Sequence, residues 1–317
     1  MSIRAVVRCL IAGAWIAAPG LARADGVLSV PSRTMTDEAF LAGTAEAGAP
    51  VEIGGRLTGL TPGAPRPVVI LVHGSNGPRS GAAWNWSQFL ATRGIASFRL
   101  DSYSGRGITN VSADQSAAAQ FMPIYDAYRA VEVLAATPGI DPERIYLMGF
   151  SRGGIAALYA SLDRFREAHG PRVGQIAGYF PFYPGCNFTL ERELEVAKVP
   201  IRVFHGAADD WTPIGPCRDY VARLSAAGAD ATLTALPGVH HGFDDPTAPS
   251  LHTDPDWLTS RACHRFERDG TLMNAETGAP FTYDDACVQR GPHSGFDGPA
   301  TEAAQRAVLE VLEVLGR

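Results

Sequence analysis

Short apolar runs rich in β-branched residues alternate with longer segments of helical period along most of this 317-residue chain. Such alternation is typical of βαβ units, in which a helix connects neighbouring strands of a parallel sheet. The predicted strands are 51–57, 68–72, 96–100, 145–149, 175–180, 201–204 and 231–235, and the predicted helices are 84–93, 113–136, 153–168, 215–227 and 301–315. We therefore predict a single α/β domain with a mostly parallel, doubly wound sheet.

Residues 244–297 interrupt this alternation. They are rich in Pro, Gly and Asp, include Cys263 and Cys287, and show little periodicity. Because so long a segment without regular elements is unusual as a plain connection, we predict a disulfide-stapled insertion that packs on the domain before the last helix. Two interpretations are open: a lid over the cleft, and a surface loop held by one disulfide.

The sequence GFSRGG, residues 149–154, stands where a predicted strand ends and a helical segment begins. In a G-x-S-x-G motif at such a junction, the serine lies on a sharp turn with its hydroxyl exposed at the carboxyl edge of the sheet. Gly149 and Gly153 would keep that turn free of colliding Cβ atoms. A glycine-rich turn can also produce the motif by chance, so Ser151 is a candidate nucleophile that needs catalytic partners.

Candidate partners follow in the order that such a serine requires. A serine hydroxyl is a poor nucleophile at neutral pH and needs a general base and a group that orients the base. The segment HGAADDWTP follows one predicted strand and offers Asp209 and Asp210. The segment PGVHHGFDD follows the next strand and offers His240 and His241. Loops after parallel strands meet at one sheet edge, so we predict a Ser-His-Asp site there.

The oxyanion of an acyl-transfer intermediate needs two N–H donors. We predict that one is the backbone N–H of Arg152, the residue after the nucleophile. The other is predicted to come from the backbone of Ser75 or Asn76, in the turn HGSNG that follows the strand 68–72. We expect the ring of His73, in the same turn, to bond the local loop.

Together these segments resemble the dienelactone hydrolase family of the α/β-hydrolase superfamily. The resemblance rests on ILVHGSNG, LDSYSGRG, IYLMGFSRGG, YFPFYPGC, VFHGAADDWTP and GVHHGFD, and it extends from about residue 66 to residue 245 and resumes in the last helix. It implies the α/β-hydrolase fold. The family's acid stands three residues after the Gly of an H-G-x-x-D turn, and its histidine stands two residues before a Phe. The resemblance therefore implies Asp209 and His241 as the partners of Ser151.

Two features depart from the family pattern. Dienelactone hydrolases proper use a cysteine nucleophile, whereas Ser151 is the residue typical of esterases and peptidases with this fold. The insertion 244–297 has no counterpart in the small members. Both departures argue against assuming a dienelactone substrate.

Several side chains on the same loops are candidates for substrate contacts. The aromatic residues Tyr103, Tyr183 and Trp211 could line an apolar acyl or aryl pocket. Arg106 could contact substrate, although an ion pair with an acid such as Asp101 is the alternative. A substrate carboxylate could be bound through bidentate hydrogen bonds by Arg79, Arg106 or Arg152.

We therefore predict a serine hydrolase that cleaves a carboxylic ester or lactone through an acyl-enzyme intermediate. A peptidase on the same fold and a non-catalytic binding protein are the alternatives. No cofactor and no metal are predicted, since the histidines and acids of residues 240–245 lack a second cluster to complete a metal site. The formal net charge of −6 gives no electrostatic reason to bind nucleic acid or an anionic membrane. The expected partner is a small-molecule ester, and the oligomeric state is left open.

Residues 1–24 have the features of a signal peptide. Arg4 and Arg8 precede an apolar stretch, and Ala22-Arg23-Ala24 fits an A-x-A cleavage site. Residues 25–317 would then form the α/β-hydrolase domain. Basic residues other than Lys198 are all Arg, a bias that we associate with GC-rich bacterial genomes. We expect an exported bacterial protein, periplasmic or secreted.

Export leaves four cysteines, an even number in a chain bound for an oxidising compartment: Cys186, Cys217, Cys263 and Cys287. Two disulfides are expected, and the sequence does not choose among three pairings. Our working hypothesis joins the two that are closest in sequence, Cys263 and Cys287. The family resemblance also favours Cys186 with Cys217. A zinc site is the alternative, although no C-x-x-C spacing occurs.

Overall fold

An eight-stranded sheet forms the centre of the computed structural model, which describes residues 26–60 and 63–315. The predicted signal peptide, residues 1–24, lies outside the described residues. The strands, in chain order, are β1 (Gly26–Thr34), β2 (Ala49–Thr58), β3 (Arg66–Val72), β4 (Ala96–Asp101), β5 (Ile140–Phe150), β6 (Ile176–Phe182), β7 (Phe188–Thr189), β8 (Ile201–Gly206), β9 (Ala231–Leu236), β10 (His252–Thr253), β11 (Leu258–Thr259), β12 (Arg265–Arg268), β13 (Thr271–Asn274), β14 (Gln289–Arg290) and β15 (His293–Ser294). The helices are α1 (Asp37–Leu41), α2 (Gly81–Thr92), α3 (Met122–Ala135), α4 (Arg152–Tyr159), α5 (Asp163–His169), α6 (Ile214–Ala226) and α7 (Gly298–Leu315).

The strand order in the main sheet is β1-β2-β4-β3-β5-β6-β8-β9. The strands from β4 to β9 run parallel, and β1 and β2 add an antiparallel edge. The predicted mostly parallel, doubly wound sheet is therefore confirmed. The carboxyl ends of β3, β5, β6, β8 and β9 share one edge, and the loops that follow them can converge on a site there.

Alternate side chains of β3 enter two different cores. Val68, Ile70 and Val72 belong to the core on the side of α3 and α4. Val69 and Leu71 belong to the core on the side of α2 and α7. A strand that is buried on both faces reads as a continuous apolar run, which is why the sequence predicted this strand well.

Two predicted helices begin or end differently from expectation. The segment 113–136 becomes helical only at Met122, after a short 3₁₀ turn at Gln115–Ala117. The segment 153–168 is divided into α4 and α5, because Leu162 is extended and forms a β-bridge with Val196. Tertiary pairing overrides the helical period in this second case.

The insertion 244–297 contains short strands that the sequence did not indicate. It forms the pairs β10–β15 and β11–β14 and the hairpin β12–β13, and β12 also pairs in parallel with β7 outside the insertion. Disulfides join Cys263 to Cys287 and Cys186 to Cys217, with a Cα–Cα distance of 5.0 Å in each. The disulfide-stapled insertion before α7 is thus confirmed. Within the described ranges, no helix is both long and apolar enough to cross a membrane.

Candidate active site

Ser151 lies on the turn between β5 and α4 in a strained backbone conformation, with φ 56° and ψ −115°. The turn is so tight that a Cβ atom at position 149 would collide with the carbonyl of Gly153, and one at position 153 would collide with the carbonyl of Val72. Glycine is therefore required at both positions. The half-buried hydroxyl of Ser151 stands at the carboxyl edge of the sheet, as expected for a nucleophile elbow.

The side chains of Ser151, His241 and Asp209 form a hydrogen-bonded chain. His241 Nε2 lies 2.9 Å from Ser151 Oγ, and His241 Nδ1 lies 2.8 Å from Asp209 Oδ2. Asp209 follows β8, and His241 follows β9, so two adjacent parallel strands bring the acid and the imidazole to the elbow. This geometry can move a proton from the serine hydroxyl to an imidazole whose other nitrogen donates to a carboxylate.

Asp209 is held in the ionised form that can accept a hydrogen bond from His241. Its Oδ1 accepts the backbone N–H groups of Trp211 and Thr212, both at 2.9 Å. Burial favours the neutral carboxyl, but the nearby His241 and these hydrogen bonds outweigh it and lower the pKa of Asp209 below its usual value. The carboxylate therefore stays charged at neutral pH and can stabilise an imidazolium.

Ser75 and Arg152, two of the predicted oxyanion residues, both lie close to Ser151. Arg152 is the first residue of α4, where backbone N–H groups have no acceptor within the helix. The turn that carries Ser75 passes close to the nucleophile, since a Cβ atom at Gly74 would lie 3.1 Å from Ser151 Cβ. Asn76 lines the adjoining cavity one residue further along.

Two cavities meet at Ser151, and both are lined by Ser75, Ser151 and Trp211. The larger has a volume of about 300 Å³, and the smaller has a volume of about 50 Å³. His241 lines the larger cavity, together with aromatic rings that include Tyr183 and Trp257. The side chains that line the smaller cavity include Gln120, Arg152 and Arg265.

The insertion forms a wall of both cavities. Trp257 stacks on Trp211 with ring centroids 4.6 Å apart, and Trp211 Nε1 donates to the carbonyl oxygen of Leu258 at 3.0 Å. The hydroxyl of Ser294 donates to the carbonyl oxygen of His241 at 3.0 Å. The insertion is therefore bonded to the loops that carry both the acid and the imidazole.

Tyr183 and Trp211 line the cavities, as predicted for substrate contacts, but Tyr103 and Arg106 do not. Tyr103 is fully buried and packs edge-on against His73, with ring centroids 4.4 Å apart. Arg106 forms a buried, bidentate ion pair with Asp126 at 2.8 and 2.9 Å. Neither side chain lines the cavities at Ser151, so the predicted substrate contacts are not supported. The ion pair expected for Arg106 is present, with Asp126 rather than Asp101 as the acid.

The ring of His73 bonds its own loop. Its Nδ1 lies 2.9 Å from the carbonyl oxygen of Gly74, and its Nε2 accepts the backbone N–H of Ser102 at 3.2 Å. Burial lowers the pKa of His73, which keeps the ring neutral. The ring thereby braces the turn that carries the candidate oxyanion donor.

The remaining acids near the site have other partners. Asp210 Oδ2 pairs with Arg261 and with His293, both at 2.9 Å, which ties the acid loop to the insertion. Asp244 accepts hydrogen bonds from the Trp86 indole and the Tyr183 hydroxyl. Among the described residues, no group of three or more His, Cys, Asp and Glu side chains is placed to hold a metal ion.

Three contributors to the site were not indicated by the sequence. Thr212 Oγ1 lies 3.1 Å from both Asp209 Oδ2 and His241 Nδ1, at the centre of the acid–imidazole contact. Gln115 bonds both Ser75 and Arg152, and Trp257 comes from the insertion. Only Thr212 lay in a recognised motif, between Asp209 and the Pro that follows it.

The fold and the nucleophile elbow define an α/β-hydrolase. Within that class, the chain belongs to the dienelactone hydrolase family, whose model matches residues 55–272. A solved structure of a dienelactone hydrolase-like promiscuous phosphotriesterase from metagenomic libraries superimposes with a TM-score of 0.59 at 18% identity, covering 92% of this chain and 99% of the other. At 18% identity, this similarity supports the fold and not the activity.

Two plant proteins are similar over part of the chain. A probable carboxylesterase from Arabidopsis thaliana is 28% identical over 123 residues, which is 39% of this chain and 44% of that protein. A probable carboxylesterase from Oryza sativa is 31% identical over 115 residues, which is 36% of this chain and 42% of that protein. The chain thus spans less than half the length of these curated relatives.

Proposed function

We propose that this protein is a serine hydrolase that cleaves a carboxylic ester through an acyl-enzyme intermediate. The observation that carries the proposal is the chain of contacts from Ser151 Oγ through His241 to Asp209, at 2.9 and 2.8 Å. Family membership and the similarity to plant proteins named as carboxylesterases support the same reaction class.

In the proposed reaction, Ser151 Oγ attacks the ester carbonyl carbon while His241 Nε2 takes the hydroxyl proton. The backbone N–H groups of Arg152 and of Ser75 or Asn76 stabilise the oxyanion. The bond to the alcohol oxygen breaks as His241 returns the proton to that oxygen. Water, deprotonated by His241, then attacks the acyl-enzyme, and the carboxylic acid product leaves Ser151.

Asp209 acts in this scheme by holding His241 as the tautomer with its proton on Nδ1. Thr212 and the backbone N–H groups at positions 211 and 212 fix the carboxylate in turn. The imidazole then needs little reorganisation during proton transfer, which is the basis of catalysis by a preorganised site.

We also propose that the insertion 244–297 serves as a fixed wall of the substrate site rather than as a moving lid. The stacked pair Trp211–Trp257, the hydrogen bond from Trp211 to Leu258 and the Cys263–Cys287 disulfide support this role. The two disulfides further support export to an oxidising compartment.

The proposed function is tested by labelling with a fluorophosphonate probe and by turnover of 4-nitrophenyl acetate. We expect Ser151→Ala to abolish labelling and to reduce kcat to near background. Ser225→Ala, at an exposed serine of α6, is the matched control and should retain both. Full ester turnover by Ser151→Ala, or turnover of peptide amides in place of esters by the wild type, would overturn the proposal.

A further inference from the structure

The smaller cavity beside Ser151 is lined by hydrogen-bond donors, and no acidic side chain of the described residues lines it. Arg152, Arg265 and Gln120 are each at most 5% exposed and all line this cavity. A guanidinium remains charged at any physiological pH, and its burial without a counter-charge is costly. An anionic ligand would stabilise these buried positive charges beside Ser151.

The bonds of the two buried arginines go to neutral oxygens. Arg152 donates to the carbonyl oxygens of Ala118 and Gln115 at 2.8 Å and to Gln115 Oε1 at 2.7 Å. These contacts fix the guanidinium beside the cavity without neutralising it. A third arginine of the lining, Arg261, differs because it is paired with Asp210.

Arg265 comes from β12 in the insertion and reaches the cavity from the opposite wall. It donates to Gln120 Oε1 at 3.1 Å and to Asn187 Oδ1 at 2.9 Å, and its guanidinium stacks on the rings of Phe188 and Phe281 at 5.0 and 4.8 Å. The planar group is thus held in one orientation by packing on aromatic faces.

Two buried donors at this cavity have no acceptor among the described residues. They are Arg265 Nε and Gln120 Nε2. Buried polar atoms are nearly always hydrogen-bonded, and an acceptor bound beside these two donors would satisfy them. The hydroxyl of Tyr283, 3.5 Å from Gln120 Oε1, lies on the same lining.

One carboxylate, that of Asp37, attracts both arginines, but it does not line the cavity. Its two oxygens accept the backbone N–H groups of Gln120 and Phe121 at 3.0 and 2.8 Å. A single negative charge cannot balance two guanidinium groups. The cavity therefore keeps a net positive charge that an anionic group of the substrate can balance.

The position of His241 assigns the two cavities to the two halves of an ester. The imidazole must return its proton to the alcohol oxygen, so the alcohol lies on the side of His241. His241 lines the larger cavity and not the smaller one. The alcohol therefore occupies the larger, aromatic cavity, and the acyl group points into the smaller, cationic one.

The volume of the smaller cavity limits the length of that acyl group. The cavity offers about 50 Å³ of space for the centre of a water-sized sphere. One water molecule needs about 10–15 Å³ of such space. Only a few atoms fit beyond the reacting carbonyl. A carboxylate joined by a short chain fills such a space and matches the planar donors of a guanidinium.

We propose that Arg265, Arg152 and Gln120 bind the terminal carboxylate of a short acyl group, so that the preferred substrates are half-esters of short dicarboxylic acids. This specificity rests on the proposed ester hydrolysis at Ser151. Its chemistry is ordinary acyl transfer: the ester C–O bond breaks, water supplies the hydroxyl of the new acid, and the distal carboxylate is unchanged.

The test compares monobenzyl succinate with benzyl levulinate, in which a methyl ketone replaces the carboxylate in an acyl group with the same number of non-hydrogen atoms. We expect wild-type kcat/KM to favour the half-ester by about 10- to 100-fold, the range expected for charge-assisted hydrogen bonds. Arg265→Met should bring the ratio close to one by slowing the half-ester. Arg268→Met, at the exposed end of the same strand, is the matched control and should keep the wild-type ratio.

Inhibition of benzyl levulinate hydrolysis by free succinate gives a second readout that depends on no variant. We expect succinate to compete with the ester and its neutral analogue succinamide to compete far less. Equal or better turnover of the levulinate ester by the wild type, or a preference unchanged in a folded Arg265→Met protein, would overturn the carboxylate site while leaving ester hydrolysis intact. Absence of both turnover and fluorophosphonate labelling would instead overturn the proposed function, and with it this specificity.

Discussion

Ser75 and Arg152 are joined through a single side-chain oxygen, that of Gln115. The hydroxyl of Ser75 donates to Gln115 Oε1 at 2.9 Å, and Arg152 Nη2 donates to the same atom at 2.7 Å. The two residues whose backbone N–H groups are the candidate oxyanion donors come from different loops. Gln115 therefore fixes the distance between them.

Replacement of Gln115 should slow the chemical step. We expect Gln115→Leu to lower kcat for 4-nitrophenyl acetate by about 10-fold, with little change in KM, because a misplaced donor loses part of the 10²- to 10³-fold effect of an oxyanion N–H. Gln175→Leu, at an exposed position before β6, is the control. Equal losses in kcat and thermal stability in the two variants would contradict a positioning role for Gln115.

The choice between the two adjacent acids gives a second prediction. Asp209→Asn should lower kcat by about 10⁴-fold, because an amide at this position permits the wrong imidazole tautomer. Asp210→Asn should change kcat by only a few-fold, since Asp210 bonds Arg261 and His293 rather than His241. Initial rates with 4-nitrophenyl acetate across pH 6 to 9 measure both variants. Comparable losses in the two would mean that the acid is wrongly assigned.

The wall formed by the insertion gives a third prediction. Trp257→Ala removes the ring that stacks on Trp211 in the larger cavity. We expect KM for benzyl esters to rise about 10-fold, as lost aromatic packing of a bound group would cause, while kcat for 4-nitrophenyl acetate stays close to the wild-type value. Trp84→Ala, at a tryptophan of α2 that is 48% exposed, is the control. An unchanged KM for benzyl esters in Trp257→Ala would remove the insertion from the substrate site.

The sequence predicts the parts of this molecule that rest on local pattern. Continuous apolar runs mark strands buried on both faces, and the G-x-S-x-G motif at a strand–helix junction marks the elbow at Ser151. The local motifs offer Asp209 or Asp210 and His240 or His241, and the resemblance to the dienelactone hydrolase family implies Asp209 and His241. The side chain of His241 lies within hydrogen-bond distance of both Asp209 and Ser151.

Other contacts depend on distant segments and leave no local pattern. Arg106 bonds Asp126 on α3, and nothing in the sequence around Arg106 distinguishes this acid from Asp101. Arg265 enters the cavity because β12 pairs in parallel with the two-residue strand β7. Such short strands have no measurable hydrophobic period, so the sequence of the insertion shows no pattern of secondary structure. For the same reason it does not indicate a role for Arg265 or Trp257.

Asp244 gives a prediction about pH and stability. Burial raises the pKa of this carboxyl from 3.8 to about 6, although the Tyr183 hydroxyl and the Trp86 indole donate to it. At pH 4 to 6 the folded protein therefore binds a proton that the unfolded chain largely does not, so acidification favours the folded state through this group. The contribution is fully present below about pH 3.8 and is lost as the pH rises through about 6.

Comparison with Asp244→Asn isolates this effect, because the other titrating groups are common to both proteins. Between pH 7.5 and pH 4, the free energy of unfolding of the wild type should rise relative to that of the variant by about 2.5 kcal/mol, most of the effect of a shift of about two pKa units. Urea unfolding at several pH values measures the difference. A difference that stays constant over this range, or that changes in the opposite direction, would show that the carboxyl of Asp244 is not destabilised by burial.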